Sequence, residues 1–278
     1  DGRLRHTRGI LPLALLAREK NLRGFVVPAA NAREARVVPG ITVHAFGTLA
    51  ELVSALCAGT DLPVVSGDAC ISAISPDAAE PDAPFNHVDL AEIRGQAAAR
   101  RALEIAAAGG HCVLFSGPPG SGKTMLARAL PTILPPLTFD EALEVTRIYS
   151  VRGLVPPGGG LIERRPFRDP HHTISDVALI GGGRTPAPGE VSLAHHGVLF
   201  LDELPEFRKA VLEGLREPLS EGRVAISRAA GAASFPAQFL LIGAMNPCPC
   251  GFAGDPLRAC KCTARQVIAY QQKLSGPL

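Results

Sequence analysis

Apolar positions along this chain follow two rhythms. The short apolar runs in GFVVP (24–28), ITVHAF (41–46), HCVLFSG (111–117), GVLFLDE (197–203) and FLLIGAMN (239–246) read as buried strands. Between them, ILPLALLAREK (10–20), TLAELVSALCAG (48–59) and GQAAARRALEIAAAG (95–109) carry helical spacing. A further helix is predicted from TFDEALEVTRIYS (138–150), because Thr138 and Glu141 form the sequence signature of a capping box. Short buried strands alternating with helices predict an α/β fold with a mainly parallel sheet.

Residues 60–86 break both rhythms, and SPDAAEPDAP within them is rich in proline, alanine and acid. The predicted organisation is a small α/β unit over 1–58, a linker over 59–87 and a larger α/β domain over 88–278. Aromatic residues make up only 5% of the chain and tryptophan is absent, so aliphatic packing must build the core. Lys and Arg number 28 against 26 Asp and Glu, a net charge of +2. That balance excludes a polybasic nucleic-acid tail while leaving room for a local basic strip. The longest apolar runs, such as Phe239–Ala244, fall far short of a bilayer span, so no membrane partner is expected. Seven cysteines, an odd number with some in metal-like spacing, point to a reducing, cytoplasmic compartment. The chain starts at Asp1 without a methionine and is expected to be a piece of a longer protein.

The chemistry concentrates after residue 110. GPPGSGKT (117–124) satisfies the phosphate-loop pattern G-x-x-x-x-G-K-[ST], with a predicted strand before it and a helical stretch, TMLARAL, after it. Backbone N–H groups of Gly117, Pro118, Pro119, Gly120, Ser121 and Gly122, proline excepted, would turn toward phosphate oxygens. Lys123 would reach the β- and γ-phosphates of ATP, and the Thr124 hydroxyl would hold Mg²⁺. Asp202 and Glu203 follow four apolar residues at a strand end, where Asp202 would position Mg²⁺ and Glu203 would polarise the attacking water. Asn246 closes the next apolar strand, where it would orient that water; the alternative is a turn-forming asparagine before Pro247.

Two segments suggest a further partner. RVAIS and SFPAQ flank the glycine turn of RAAGA, which predicts a β-hairpin with Arg228 near its tip. By pattern alone a lone hairpin arginine is most often solvated. Residues 150–190 form a long connection with a glycine-rich tip, VPPGGG. Arg164, Arg165 and Arg168 then surround Phe167, an arrangement suited to nucleic-acid phosphate and base contact, or equally to a solvated loop or subunit contact. Cys248, Cys250, Cys260 and Cys262 form C-x-C-x₉-C-x-C, whose thiolates fit a tetrahedral structural Zn²⁺ site. Reduced thiols or a redox-labile pair are the alternative, since C-x-C is tighter than usual zinc-ligand spacing.

GPPGSGKTMLARALPTILPPL, GVLFLDELPEF, RVAISRA, MNPCPCG and PHHT together resemble the magnesium-chelatase-like AAA+ ATPases, in the ComM/YifB branch. The resemblance covers about residues 88–278 and implies an AAA+ P-loop core that works as a homo-hexameric ring with ATP at subunit interfaces. It makes 150–190 look like a helix-2 insertion and 223–236 like a pre-sensor-1 hairpin, with Arg228 at the position that touches DNA in related helicases. A DNA translocase acting in branch migration on single-stranded or branched DNA is therefore expected. A chelatase motor subunit and a protein-remodelling ATPase are the alternatives. Residues 1–58 resemble the end of a Lon-protease-like domain, but Ala17 stands where that family has its catalytic lysine and Lys20 lies three residues further on. Without a placed amine the segment is expected to be catalytically dead. Family members continue past SGPL (275–278) into a trans-acting arginine and a helical lid, so weak ATP turnover is expected of these residues alone.

Overall fold

Val198, Leu199, Phe200 and Leu201 are each at most 1% exposed, so the strand they form is covered on both faces. The computed structural model describes residues 2–59, 62–65, 88–155, 158–228 and 231–274. In chain order its elements begin α1 (Ile10–Glu19), β1 (Phe25–Pro28), α2 (Ala32–Arg36), β2 (Val43–Phe46) and α3 (Leu49–Cys57). There follow α4 (Ala97–Gly109), β3 (Val113–Ser116), α5 (Lys123–Ile133), α6 (Phe139–Arg152), β4 (Phe167–Arg168) and α7 (Asp176–Ile180). Then come β5 (Gly181–Gly182), β6 (Ala187–Pro188), α8 (Glu190–Leu193), β7 (Val198–Leu201), α9 (Lys209–Glu213) and α10 (Arg216–Glu221). The hairpin strands β8 (Arg223–Arg228) and β9 (Gly231–Pro236), β10 (Leu240–Met245) and α11 (Ala264–Gln271) complete the order. No helix among the described residues is long and apolar enough to cross a membrane.

Contacts divide the chain into two units, Asp1–Ala83 with Thr138–Glu163, and Pro84–Leu137 with Arg164–Leu278. The larger unit is built on a four-stranded sheet in the order β3-β10-β7-β4, parallel throughout. This is the predicted α/β class with a mainly parallel sheet. Phe115, Val198, Phe200, Ile242 and Ala244 face one side and pack with Leu103 of α4 and with Leu126 and Leu130 of α5. Leu199, Leu201 and Leu241 face the other side and pack with Leu204, Val211, Leu215, Val224 and Ile226. Each such side chain removed from water contributes about 2 kcal/mol, so the two-sided burial of β7 anchors the unit.

The segment 150–190 is more than the long connection expected of it, because part of it enters the sheet. Phe167 lies in β4, paired with Val198, and is 8% exposed in the core. Its ring stacks on Phe200 with centroids 6.0 Å apart. It therefore supplies core packing, and no aromatic platform stands between the arginines. Pro166 and the charged residues around Phe167 hid this strand, which is only two residues long.

The predicted continuous domain over 88–278 is also interrupted, because α6 packs in the smaller unit. There β1 and β2 pair in parallel and α1, α2 and α3 accompany them. Leu143 of α6 joins Leu11, Ala14 and Val38 in one apolar cluster. Glu34, 3% exposed, accepts hydrogen bonds from Leu11 N at 3.2 Å, Asn31 Nδ2 at 2.9 Å and Ser150 Oγ at 2.5 Å. Asn31 in turn bonds both backbone groups of Thr7. A buried carboxylate needs such partners, and they tie α6 to α1 and α2. The expected glycine-rich tip lies partly outside the described residues, but Gly158 N donates to Ala30 O and Val155 is buried. Most of the predicted linker also lies outside the described residues. Ala17 is buried in α1 at 4% exposure.

Truncating Glu34 to alanine strands three donors in a closed site. The Glu34→Ala variant is expected to lose about 2–3 kcal/mol of unfolding free energy. Denaturant titration of the variant beside the parent chain measures that loss.

Candidate functional site

Parallel pairing carries the C-terminal ends of β3, β10 and β7 to one edge of the sheet. Met245 is paired with Ser116, and Gly243 with both Leu114 and Leu201. The segments that leave these ends are 117–124, Asn246 onward, and Asp202–Glu203. Since β10 lies between β3 and β7, Asn246 stands between the glycine-rich loop and the acidic pair.

The loop itself is shaped by backbone that favours glycine. Gly120 has φ 79 and Gly122, the N-cap of α5, has φ 87. No side chain caps α5, so the first-turn N–H groups of its eleven residues remain directed at the loop. Lys123 Nζ donates to Gly117 O at 2.8 Å, Pro118 O at 3.0 Å and Asn246 Oδ1 at 3.3 Å. Burial pushes the Lys123 ammonium below the usual lysine range, and the nearby Asp202 charge opposes that shift. Thr124 Oγ1 donates to Asp202 Oδ2 at 3.0 Å, while Glu203 N donates to Asp202 Oδ1 at 2.8 Å. A loop of backbone donors, one ammonium, and a hydroxyl beside a carboxylate fit a phosphate chain with a hard divalent cation.

Glu203 adopts φ 52, a left-handed conformation that is uncommon for a residue with a side chain. Such strain persists where surroundings enforce it. Glu203 Oε2 lies 3.0 Å from His172 Nδ1, whose ring sits 4.1 Å from that of His171. His172 follows β4, so the strand missed in the sequence delivers a side chain to the acidic pair. Its signal, two adjacent histidines after a strand end, becomes readable only once β4 is placed.

The basic residues separate. Arg165 bonds Pro135 O at 2.6 Å and His196 O at 2.7 Å, and Arg168 Nε bonds Glu190 Oε2 at 2.5 Å. Both half-buried guanidiniums brace the unit internally, a correction to the expected basic strip. Arg164 is exposed. Arg228 ends β8 and pairs with Gly231 across the predicted hairpin.

The four clustered cysteines converge. All four Sγ atoms lie within 4.8 Å of one another. Cys248 and Cys250 are 3.4 Å apart, Cys248 and Cys260 3.7 Å, and Cys250 and Cys260 3.6 Å. Four Zn–S bonds of about 2.3 Å in a tetrahedron give sulfur–sulfur edges of about 3.8 Å. Near-equal separations match a tetrahedral face, whereas a disulfide would draw one pair together. Hydrogen bonds from the Lys261 and Phe252 backbones hold the Cys250 thiol down to about 6. Among the other cysteines, Cys57 and Cys112 are exposed, and Cys70 lies outside the described residues.

Two contacts missed in the sequence join this cluster to the loop. Gly251 has φ 86, and a Cβ there would stand 2.7 Å from Pro119 Cδ. Tyr270 of α11, 6% exposed, takes a hydrogen bond from the Asn246 backbone. Burial, and then the charge of Glu206, raise the Tyr270 hydroxyl above the usual tyrosine range.

A parallel sheet whose phosphate loop and acidic pair share one edge defines a P-loop NTPase of the AAA+ type. The chain belongs to the magnesium-chelatase family: the model described as magnesium chelatase, subunit ChlI, matches residues 89–278. The competence protein ComM of Haemophilus influenzae is 44% identical over 99% of this chain and 52% of its own length. An uncharacterized protein of Mycobacterium tuberculosis is 47% identical over 100% of this chain and 53% of its own. YifB of Salmonella typhimurium is 50% identical over 70% of this chain and 38% of its own. The chain thus spans about half the length of the first two relatives. A solved structure of NtrX from Brucella abortus with ATP covers 55% of this chain and 30% of its own, at 20% identity and a TM-score of 0.38.

Adding a methyl at Gly122, where φ is 87, forces a side chain into left-handed backbone. Gly122→Ala is expected to cost about 1–2 kcal/mol of stability, read as a lower thermal midpoint.

Proposed function

We propose that this chain is the ATP-hydrolysing core of a ring-forming DNA translocase of the ComM type, working in the cytoplasm on single-stranded or branched DNA. The observation that carries the ATPase reading is the joint reach of Lys123 to Asn246 and of Thr124 to Asp202 across one sheet edge. In this reading Lys123 exchanges its loop carbonyls for the β- and γ-phosphates, and backbone N–H groups of 117–124 hold the phosphate chain. Thr124 and Asp202 are the residues that would hold Mg²⁺, which supplies positive charge against the phosphates. Glu203 takes the proton of the attacking water once His172 releases it, and the Asn246 amide orients that water. The four cysteines are read as ligands of a structural Zn²⁺ ion.

The DNA reading rests on the hairpin β8–β9, which ends at Arg228, on the exposed Arg164, and on similarity to a protein named for competence. Arg165 and Arg168 support the unit that presents them. A homo-hexamer is the assembly the family resemblance implies. The N-terminal unit is read as a catalytically dead Lon-like remnant, in keeping with the buried Ala17. A second reading, a motor subunit for metal insertion, draws on 29% identity over 197 residues to a magnesium-chelatase 67 kDa subunit of Heliobacterium mobile.

Glu203→Gln is expected to keep nucleotide binding while slowing hydrolysis by about 10²–10⁴-fold, the usual worth of a general base. Radiolabelled ATP retained on the variant checks this. ATP hydrolysis is also expected to rise when forked or single-stranded DNA is added, in a salt-sensitive manner. Arg228→Ala should lower that stimulation without weakening ATP binding. A rate indifferent to DNA at every salt concentration contradicts the translocase reading and leaves the metal-insertion reading standing.

A further inference from the structure

The cysteine cluster occupies a position that a purely local staple would not need. Its first ligand, Cys248, is fully buried and stands two residues beyond Asn246. Between the cysteine pairs, Gly251 turns with φ 86 directly against Pro119 of the phosphate loop. A β-carbon at this position would also come within 4.0 Å of the Asn246 side chain. After the last ligand, Cys262, the chain enters α11 through a complete capping box at Thr263 and Gln266. About two turns after Thr263 the buried Tyr270 hydroxyl meets the Asn246 backbone. Lys273 at the end of this helix lies over the Tyr270 ring and reaches Glu206, three residues after Glu203.

Three parts of the candidate nucleotide site, Pro119, Asn246 and the turn after Glu203, therefore touch one segment, 248–273. That segment has little core of its own. Cys248 and Tyr270 are its only buried hydrophobic residues among those described, and Leu257 is 92% exposed. A loop with so few apolar contacts cannot hold its shape by packing. Crosslinking its two ends through four thiolates removes that freedom, because a structural metal contributes its binding energy to folding.

We infer that the four cysteines form a tetrathiolate Zn²⁺ clamp whose occupancy holds the phosphate loop and Asn246 in their nucleotide-binding arrangement. Zinc loading thereby sets nucleotide affinity, although the closed ligand set leaves no coordination position for the nucleotide itself. The clamp deepens the ATP-site reading and rests on it for its functional consequence. Its structural consequence, the ordering of residues 117–124, stands apart from any ligand. Two routes connect metal to nucleotide: one through the Gly251–Pro119 contact, and one through Tyr270 to Asn246. Neither uses a cysteine as a phosphate contact.

The 278-residue chain, purified in reducing buffer without added metal, is assayed by elemental analysis, by a fluorescent ATP analogue in Mg²⁺, and by hydrogen exchange. One zinc per chain is expected, as for other closed Cys₄ sites. Stripping the zinc and restoring Mg²⁺ should weaken analogue binding at least about tenfold and speed exchange across 117–124. Zn²⁺ added back should reverse both. Gly251→Ala retains all four thiols, so it should keep full zinc while weakening the analogue, a split that general unfolding does not produce. Metal-free protein overturns the inference. So does zinc whose removal leaves both exchange and affinity unchanged, with Gly251→Ala binding like the parent. Should exchange follow zinc while the loaded chain ignores the ATP analogue, the clamp holds and the ATP reading falls.

Discussion

Everything chemical in this chain depends on β10 lying between β3 and β7 in a parallel sheet. That order sets Asn246 within 3.3 Å of Lys123 and leaves Thr124 3.0 Å from Asp202, although 123 and 78 positions separate these pairs. Parallel pairing makes the strands end together, and the burial of Val198–Leu201 on both faces prevents a register slip. A slip of one residue would move Phe200 out of the layer it packs with Leu126 and Leu130 and put Leu201 in its place, so the core and the site share one constraint.

Residues around this edge are placed by means other than the sheet. Glu203 is held in left-handed backbone, with its N–H on Asp202 and its carboxylate against His172. The two acids of this sequential pair thus have different partners, Thr124 for Asp202 and His172 for Glu203. The cysteine segment supplies bracing through Gly251 and Tyr270. In each case a short piece of irregular backbone is stabilised by hydrogen bonds or by candidate metal ligands, because it has too little apolar surface to be stabilised by packing.

The glycine-rich loop, the acidic pair and Asn246 were legible in the sequence because their chemistry is local. A phosphate loop needs glycines and a lysine at set spacing, and an apolar run announces the strand that precedes it. The hairpin was equally legible from alternation around a glycine turn, but its register, Arg228 with Gly231, came only from the structure. Phe167 was not, because a two-residue strand has no periodicity and its neighbours are charged. The arginines beside it read as a basic strip, yet Glu190 and the carbonyls of Pro135 and His196 hold Arg168 and Arg165. Those partners are distant in sequence, so no spacing rule reveals them.

The residues of the P-loop and of the acidic strand end determined the class of this protein by themselves, since holding a phosphate chain and a divalent cation requires those types in that order. The capping box at Thr138 likewise determined where α6 begins. Tertiary structure alone decided which unit that helix joins, through Glu34 and Ser150, 116 positions apart. It also decided that His172 faces Glu203 and that Gly251 touches Pro119. Local spacing specifies what a segment can form, whereas buried polar pairs and close backbone approaches depend on which segments the closed core brings together.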